Sequence, residues 1–192
     1  LLVLAAPAVA FVAPRAAPSR RVEGASGMRA AAVPKGLASA LLVGAVFSFS
    51  GDQPANLGPG KNGALLPCPT ATTNCLSTSG PDEVHSTKPL KFKKPVDQAV
   101  ADVKKVLSDY PAGGQNGIDG SGLKVIEARD RYIYAQATSG FFGFTDDVEF
   151  SFPDDKQMLI RSASRLGDSD LGVNAKRLTY ITAELRSIGG WE

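Results

Sequence analysis

Histidine and cysteine are nearly absent from this 192-residue chain: His85 is its one histidine, and Cys68 and Cys75 are its two cysteines. These residues do not have the spacing of a zinc site, and no CxxC redox motif is present. A Ser-His-Asp triad cannot be argued from one histidine that we expect to lie exposed in a loop. The glycine-rich stretch 113–120 lacks the Lys-Ser/Thr pair of a P-loop, and no GxGxxG motif occurs. We therefore predict no catalytic residues, no metal site and no cofactor.

Basic residues are in the minority over most of the chain. Residues 51–192 contain 16 basic and 18 acidic side chains, whereas residues 1–50 contain five basic and one acidic, so the net charge of +2 comes from the N-terminal part. A domain with a small negative balance has no electrostatic basis for binding nucleic acid, which we exclude as a partner. The hydrophobic content of 43% is typical of a globular protein of one domain.

Residues 1–50 are predicted to be a targeting leader that is disordered. Residues 1–10 are apolar and end in Ala8-Val9-Ala10, the small-x-small pattern of a signal-peptidase site. The next residues, Phe11-Val12-Ala13-Pro14, resemble the Ala-Phe-Ala-Pro junction in the bipartite leaders of algae with secondary, red-type plastids. Residues 15–35 are rich in Ala, Arg and Ser, as transit peptides are. The alternative is a simple secretory signal followed by a flexible spacer.

A second apolar run extends from Gly36 to Phe49. Its 14 residues are fewer than the roughly 20 that a membrane-spanning helix needs. It ends in Ser48-Phe49-Ser50, again a small-x-small pattern, which favours a thylakoid-lumen signal of the Sec type because no Arg-Arg pair stands directly before it. The alternative is a retained anchor that holds the protein weakly on the membrane. Both interpretations place the folded part in the thylakoid lumen or on the lumenal face of the thylakoid membrane.

The two cysteines, seven positions apart, are predicted to form a disulfide, with two free thiols as the alternative. A bridge that closes an eight-residue loop stabilises a fold by roughly 2.5 kcal/mol in the chain-entropy model. Such a bridge persists in an oxidising compartment. It is therefore consistent with a lumenal location.

Hydrophobic periodicity predicts an α+β domain over residues 67–188, between a linker at 51–66 and a tail at 189–192. After Pro95, apolar residues recur at helical spacing from Val96 to Leu107. Four alternating runs follow at 123–128, 131–138, 145–152 and 157–165, with connections so short that they require antiparallel pairing. The expected order is a helix, a four-stranded antiparallel meander and a long C-terminal amphipathic helix, with both helices on one face of the sheet.

The C-terminal helix is predicted to begin behind Asp168 or Asp170 as its N-cap. Lys176, Arg177 and Arg186 lie off its apolar stripe. The stripe consists of Leu171, Ala175, Leu178, Ile181, Leu185 and Ile188.

Three motifs resemble the domain-of-unknown-function 1499 family. They are the Cys-Pro…Asn-Cys start, the Asp-Asp-Val-Glu-Phe strand at 146–150, and the Arg-Ser-Ala-Ser-Arg-x-Gly-x-x-Asp-Leu-Gly-x-Asn run at 161–174. The resemblance covers about residues 65–188. It implies the α+β fold and a plastid setting, but no reaction, since the family has no agreed catalytic residues or ligand.

The charged residues of these motifs are predicted to form a structural ion-pair network across two strands. One strand register places Val148 opposite Arg161, and a shift by one residue places Glu149 there instead. The polar residues concerned are Asp146, Asp147, Glu149, Arg161, Arg165, Asp170 and Asn174.

Three other uses of these residues stay open. Asp146, Asp147 and Glu149 offer oxygen ligands for Ca²⁺ or Mg²⁺, although neighbouring strand residues point to opposite faces. Arg161, Arg165 and the amides near Gly172 offer a site for an anion such as a phosphate or a lipid headgroup. Asp147 and Glu149, on one strand face, offer an acid/base pair that would work beside Arg161.

We therefore expect a non-catalytic accessory or assembly module of the thylakoid lumen, peripheral to the membrane and associated with a thylakoid membrane protein complex. A phenylalanine corner at 141–142 would suit docking to a membrane protein or a pigment edge. The first alternative is a module that binds a lipid, an anion or another small ligand. The second is a hydrolase based on Asp147, Glu149 and Arg161.

Overall fold

The computed structural model of the protein describes residues 49–115 and 117–192. The predicted leader therefore lies outside the described residues except for Phe49 and Ser50. None of the helices in the described part is both long enough and apolar enough to cross a membrane.

The described part is an α+β fold, as predicted, with two helices and one antiparallel sheet of six strands. The sheet order is β1-β6-β5-β4-β3, and β2 pairs separately with β6. The helices are α1 (Val96–Ser108) and α2 (Val173–Ile188), and the strands are β1 (Cys75–Ser77), β2 (Leu90–Lys91), β3 (Leu123–Arg129), β4 (Tyr132–Thr138), β5 (Thr145–Ser151) and β6 (Gln157–Ser164).

The predicted meander of four strands is wrong in its strand count. It corresponds to β3–β6, and the two additional strands, β1 and β2, both pair with β6. They contain three and two residues, too few to show an alternation of apolar and polar side chains. They make β6 an inner strand of the sheet.

Both helices pack against one face of the sheet and form the main core with it. Apolar burial is the dominant stabilising term here, about 1.5–3 kcal/mol for each large side chain. Core residues of α1 and α2 are Val100, Val103, Leu107, Leu178, Ile181 and Leu185, and their partners on the sheet include Ile133, Val148, Phe150 and Ile160.

The predicted linker, residues 51–66, covers the other face of the sheet. Leu65 is buried against Tyr132 and Tyr134 of β4. The Gly58 N–H donates a hydrogen bond to Glu149 Oε1 at 2.7 Å. This segment is irregular apart from a short 3-10 helix at Lys61–Gly63, so it has no hydrophobic period in the sequence. As a result every residue of β5 is buried, on both faces of the sheet.

The predicted tail is likewise part of the fold. Trp191 is buried beside Phe92, with 5.3 Å between the ring centroids. Its indole Nε1–H donates to Asp102 Oδ2 of α1 at 3.0 Å. The folded unit therefore extends almost to the last residue.

The apolar stripe predicted for the C-terminal helix is wrong at its start and its end. Leu171 is 82% exposed, because it precedes the helix and has a left-handed backbone (φ +56°). Ala175 and Ile188 are also exposed. The N-cap is Gly172 rather than a carboxylate residue. The predicted Asp170 nevertheless serves this helix end, since its side chain accepts hydrogen bonds from the N–H groups of Gly172 and Asn174.

The predicted disulfide is confirmed between Cys68 and Cys75, whereas the expected exposed position of His85 is wrong. His85 is buried, with Nδ1 at 2.6 Å from Asp82 Oδ1 and Nε2 at 2.7 Å from the Thr72 carbonyl oxygen. Both partners are acceptors, so they favour the imidazolium form, in which both ring nitrogens donate. The Thr72 carbonyl and then the Asp82 carboxylate raise the pKa of His85.

We expect the stability of the fold to fall as pH rises above about 6.5, because the folded-state pKa of His85 is raised. Because the folded-state pKa of His85 is raised, its contribution is complete below the ordinary pKa of about 6.5 and is lost as pH rises through the raised value. The lowered pKa of Asp82 acts only at more acidic pH. Thermal unfolding midpoints measured at a series of pH values from about 6 upward test this effect. His85→Asn should make the midpoint less dependent on pH. A flat curve for the wild type contradicts the assignment.

Candidate functional site

Strand β5 carries acidic side chains on both faces of the sheet. Asp146 shares the helix-covered face with Val148 and Phe150, whereas Asp147 and Glu149 point to the face covered by residues 51–66. Glu149 lies directly opposite Arg161 of β6, which selects the second of the two predicted registers. The three acids are therefore not brought together as the predicted oxygen ligands of one cation. The described residues contain no cluster of three or more metal-ligating side chains.

On the face covered by residues 51–66, each acid of β5 is paired with an arginine. Glu149 Oε2 accepts from Arg161 Nη1 at 3.1 Å, and Glu149 Oε1 accepts from the Tyr132 hydroxyl at 2.8 Å. Asp147 accepts from Arg165 Nε at 3.0 Å and from Arg165 Nη2 at 2.8 Å. This geometry is that of the predicted structural ion-pair network.

The side chains around these acids on this face are buried and mostly hydrogen-bonded to one another. The Tyr134 hydroxyl donates to Asp147 Oδ1 at 2.6 Å, and burial followed by this hydrogen bond raises the pKa of Tyr134 to about 12. The hydrogen bond to Asp147 raises the pKa of Arg165. Both guanidinium groups are buried against carboxylates, so they do not form the open anion site that was one alternative. Arg161 Nε is buried and has no hydrogen-bond partner among the described residues.

The helix-covered face holds a second polar cluster, centred on Arg177, that the sequence analysis missed. Arg177 was predicted to lie off the apolar stripe, but it is fully buried. Its donors reach Asp119 (2.6 and 2.9 Å), Asp146 (2.7 Å), Ser162 (3.0 Å) and Asn174 (2.7 Å). These contacts use all five N–H groups of the guanidinium. Burial alone would lower the pKa of Arg177, but Asp119 and Asp146 raise it.

Two signals in the sequence could have indicated this cluster. Val173, Arg177, Ile181 and Leu185 recur every four residues, which places Arg177 on the buried face once the helix starts at Val173. Asp119 lies in the glycine-rich stretch 113–120, where a backbone hydrogen bond of 2.9 Å joins the Gly113 N–H to the Asp119 carbonyl oxygen. This hydrogen bond closes the chain around Asp119, whose side chain is buried in the interior.

A cavity of about 150 Å³ opens beside the Arg177 cluster. Asp119 and Asp146 are its buried polar lining residues, and Ser164 also lines it. The cavity continues into a groove of about 410 Å³ with which it shares several lining residues. We call the two together the phenylalanine groove, whose apolar walls are Ile118, Phe144, Leu166 and Val173.

The outer rim of the phenylalanine groove is an exposed aromatic surface. Phe141 is 85% exposed and Phe142 is 50% exposed, and their ring centroids are 4.7 Å apart. Phe49 stacks on Phe144 at 5.8 Å, and its N–H donates to the Phe142 carbonyl oxygen at 3.1 Å. Leu171 completes the rim. A contiguous apolar surface of this kind is typical of an interaction site.

The disulfide loop positions one wall of the phenylalanine groove. The Thr73 N–H donates to the Asp168 carbonyl oxygen at 2.7 Å, and Asn74 Nδ2 donates to the Gly167 carbonyl oxygen at 2.5 Å. Asn174, one of the predicted site residues, donates through Nδ2 to the Asn74 carbonyl oxygen at 2.9 Å. The loop between β6 and α2 is therefore held by the part of the chain that the disulfide closes.

Replacing Arg177 should strongly destabilise the fold. Arg177→Met leaves two buried carboxylates without a counter-charge, and the loss of one partner in a buried ion pair costs about 3–5 kcal/mol. The free energy of unfolding in urea measures the effect. Arg186→Met is the matched control, since Arg186 is exposed on the same helix and its replacement should change that free energy by less than about 0.5 kcal/mol. Similar losses for both variants contradict the central role of Arg177.

Comparison with known proteins finds no match among curated proteins and none among solved structures. The model of one family, described as "Protein of unknown function (DUF1499)", matches residues 64–185. The matched residues extend from just before the disulfide into the last turn of α2, and they include both polar clusters. The chain therefore belongs to the DUF1499 family of proteins of unknown function.

Proposed function

We propose that this protein is a non-catalytic accessory or assembly module on the lumenal face of the thylakoid membrane, next to the protein complexes of that membrane. The rim of the phenylalanine groove is the surface that contacts the membrane. The exposure of Phe141 and Phe142 beside an open groove is the observation that carries this proposal.

The rim is built to stay exposed. Phe141 and Phe142 lie in the turn between β4 and β5, and a hydrogen bond of 2.8 Å from the Ser139 N–H to the Phe144 carbonyl oxygen closes that turn. Gly143 follows them with φ +70°, a conformation that other residues rarely adopt. The two rings therefore project from a closed turn instead of packing on the core, which favours their insertion into an apolar phase.

The position of Phe49 supports contact with a membrane at this surface. Phe49 is the last residue of the apolar run that starts at Gly36, and it joins the fold beside Phe142 and Phe144. A membrane anchor formed by that run would enter the fold at the rim.

The paired acids support a non-catalytic role. A hydrolase based on Asp147 and Glu149 needs a carboxylate that can exchange a proton with a substrate. Both carboxylates are buried and accept hydrogen bonds from arginine and tyrosine side chains. The lumenal location is supported by the leader and by the disulfide, which persists in an oxidising compartment.

Charge in the rim should weaken membrane binding. A chain that begins at Phe49 retains every contact described above, and its partition onto vesicles of phosphatidylcholine with a minor fraction of phosphatidylglycerol can be measured by sedimentation. Insertion of a phenylalanine ring contributes about 1.5–3 kcal/mol, so Phe141→Asp with Phe142→Asp should weaken partition at least about tenfold.

The matched control is Val84→Asp, because Val84 is 63% exposed but lies outside the rim. This variant should change vesicle partition less than about twofold, as expected for a residue that does not contact the membrane. Equal losses for the rim variant and the control contradict the proposal. So does a wild-type domain that stays in the supernatant.

N-terminal sequencing of the protein isolated from thylakoids tests the location. Cleavage after Ser50 predicts a mature chain that begins at Gly51, whereas retention of the anchor predicts a chain that still contains Gly36. Co-migration with a photosystem in native gels would place it next to a membrane complex. A chain found only outside the plastid overturns the lumenal assignment.

A further inference from the structure

The inner cavity of the phenylalanine groove has an uncompensated negative charge. Arg177 donates to both Asp119 and Asp146, so one guanidinium faces two carboxylates. All five of its N–H groups are used within the cluster. Asp146 accepts through Oδ2, and its Oδ1 accepts no hydrogen bond from the described residues. Asp146 is only 8% exposed, and it lines the cavity.

The surroundings of the cavity do not supply the missing positive charge. Among the described residues, the charged lining residues of the cavity are Asp119, Asp146 and Asp170, and none of those that line either part of the groove is a lysine or an arginine. The nearby start of α2 is occupied as well, because the Asp170 carboxylate accepts from the N–H groups of Gly172 and Asn174. An anionic ligand would therefore be repelled, whereas a cationic donor would be held.

The rest of the groove is suited to an apolar body. Its walls include Ile118, Phe144 and Val173, and its volume of about 410 Å³ lies within the range of small-molecule sites. A ligand that fits therefore has one polar end and one apolar end. Its polar end lies in the inner cavity, close to Asp146, and its apolar end extends toward Phe141 and Phe142.

We propose that the phenylalanine groove binds amphipathic amines: ligands with a protonated amine head that donates to Asp146 Oδ1 and an alkyl or ring body that packs on the apolar walls. Asp146 is the residue that selects the head, and Ile118 is a wall residue that contacts the body. Binding of such a ligand requires no membrane, so it can be tested with monomeric ligands and without vesicles.

Calorimetric titration of the full chain with decylamine, decanol and decanoate, each below its micelle concentration near neutral pH, tests the proposal. The three probes have the same alkyl chain and differ in the head. A hydrogen bond between charged groups is roughly twice as strong as a neutral one, so decylamine should bind at least about tenfold more tightly than decanol. Decanoate should bind most weakly.

Three variants locate the binding. Asp146→Asn should reduce the preference for decylamine over decanol to about threefold or less. Ile118→Trp should prevent binding of both, because the larger ring fills the groove from its wall. Asp168→Asn is the matched control, since Asp168 is an exposed acid on the same loop as Leu166 but does not line the cavity, and it should bind decylamine like the wild type.

Several results overturn the proposal. They are equal affinities for the three heads, tighter binding of decanoate, no saturable binding of decylamine, and binding that Ile118→Trp leaves unchanged. If Asp146→Asn fails to fold, the order of the three probes on the wild type still decides. The vesicle result for the Phe141→Asp and Phe142→Asp variant is a separate outcome, so the failure of one proposal is distinguishable from that of the other.

Discussion

The buried guanidinium of Arg177 joins the parts of the fold that the apolar core alone would leave free to shift. It binds Asp119 from the loop before β3, Asp146 from β5 and Ser162 from β6. Hydrophobic contact is not directional, whereas the five N–H donors of a guanidinium point in fixed directions and restrict where its partners can lie. Arg177 therefore helps to fix the orientation of α2 on the sheet. It acts together with Asn74, which holds the loop that forms one wall of the phenylalanine groove.

Strand β5 imposes the second constraint. Its acids point to both faces, so each face requires both a cover and a cation. The helices and Arg177 supply these on one face, and residues 51–66 with Arg161 and Arg165 supply them on the other. A segment that was predicted to be a linker is therefore part of the domain. It covers Glu149, and its Gly58 N–H donates a hydrogen bond to that carboxylate.

Periodicity predicted the central strands, the first helix and the class of the fold, because apolar burial repeats along regular elements. It could not predict the irregular cover formed by residues 51–66, nor the strands of two and three residues, because neither has a repeat. The register of β5 against β6 was left open, since both alignments set an acid within reach of an arginine. Arg177 was misplaced for a different reason: a charged residue is normally exposed on a helix, and only the partners Asp119 and Asp146 make its burial favourable.

The charge balance of the Arg177 cluster connects stability with binding. A buried ion pair is often less stabilising than a well-packed apolar group, and a second carboxylate without its own cation adds a further cost. In this fold that cost falls on Asp146, which lines the cavity and whose Oδ1 accepts no hydrogen bond from the described residues. An unfavourable charge balance of this kind is typical of functional sites, which lose some stability in the empty protein and gain affinity for a ligand. A cationic head bound at Asp146 would remove the imbalance, so such a ligand would stabilise the fold as well as occupy the groove.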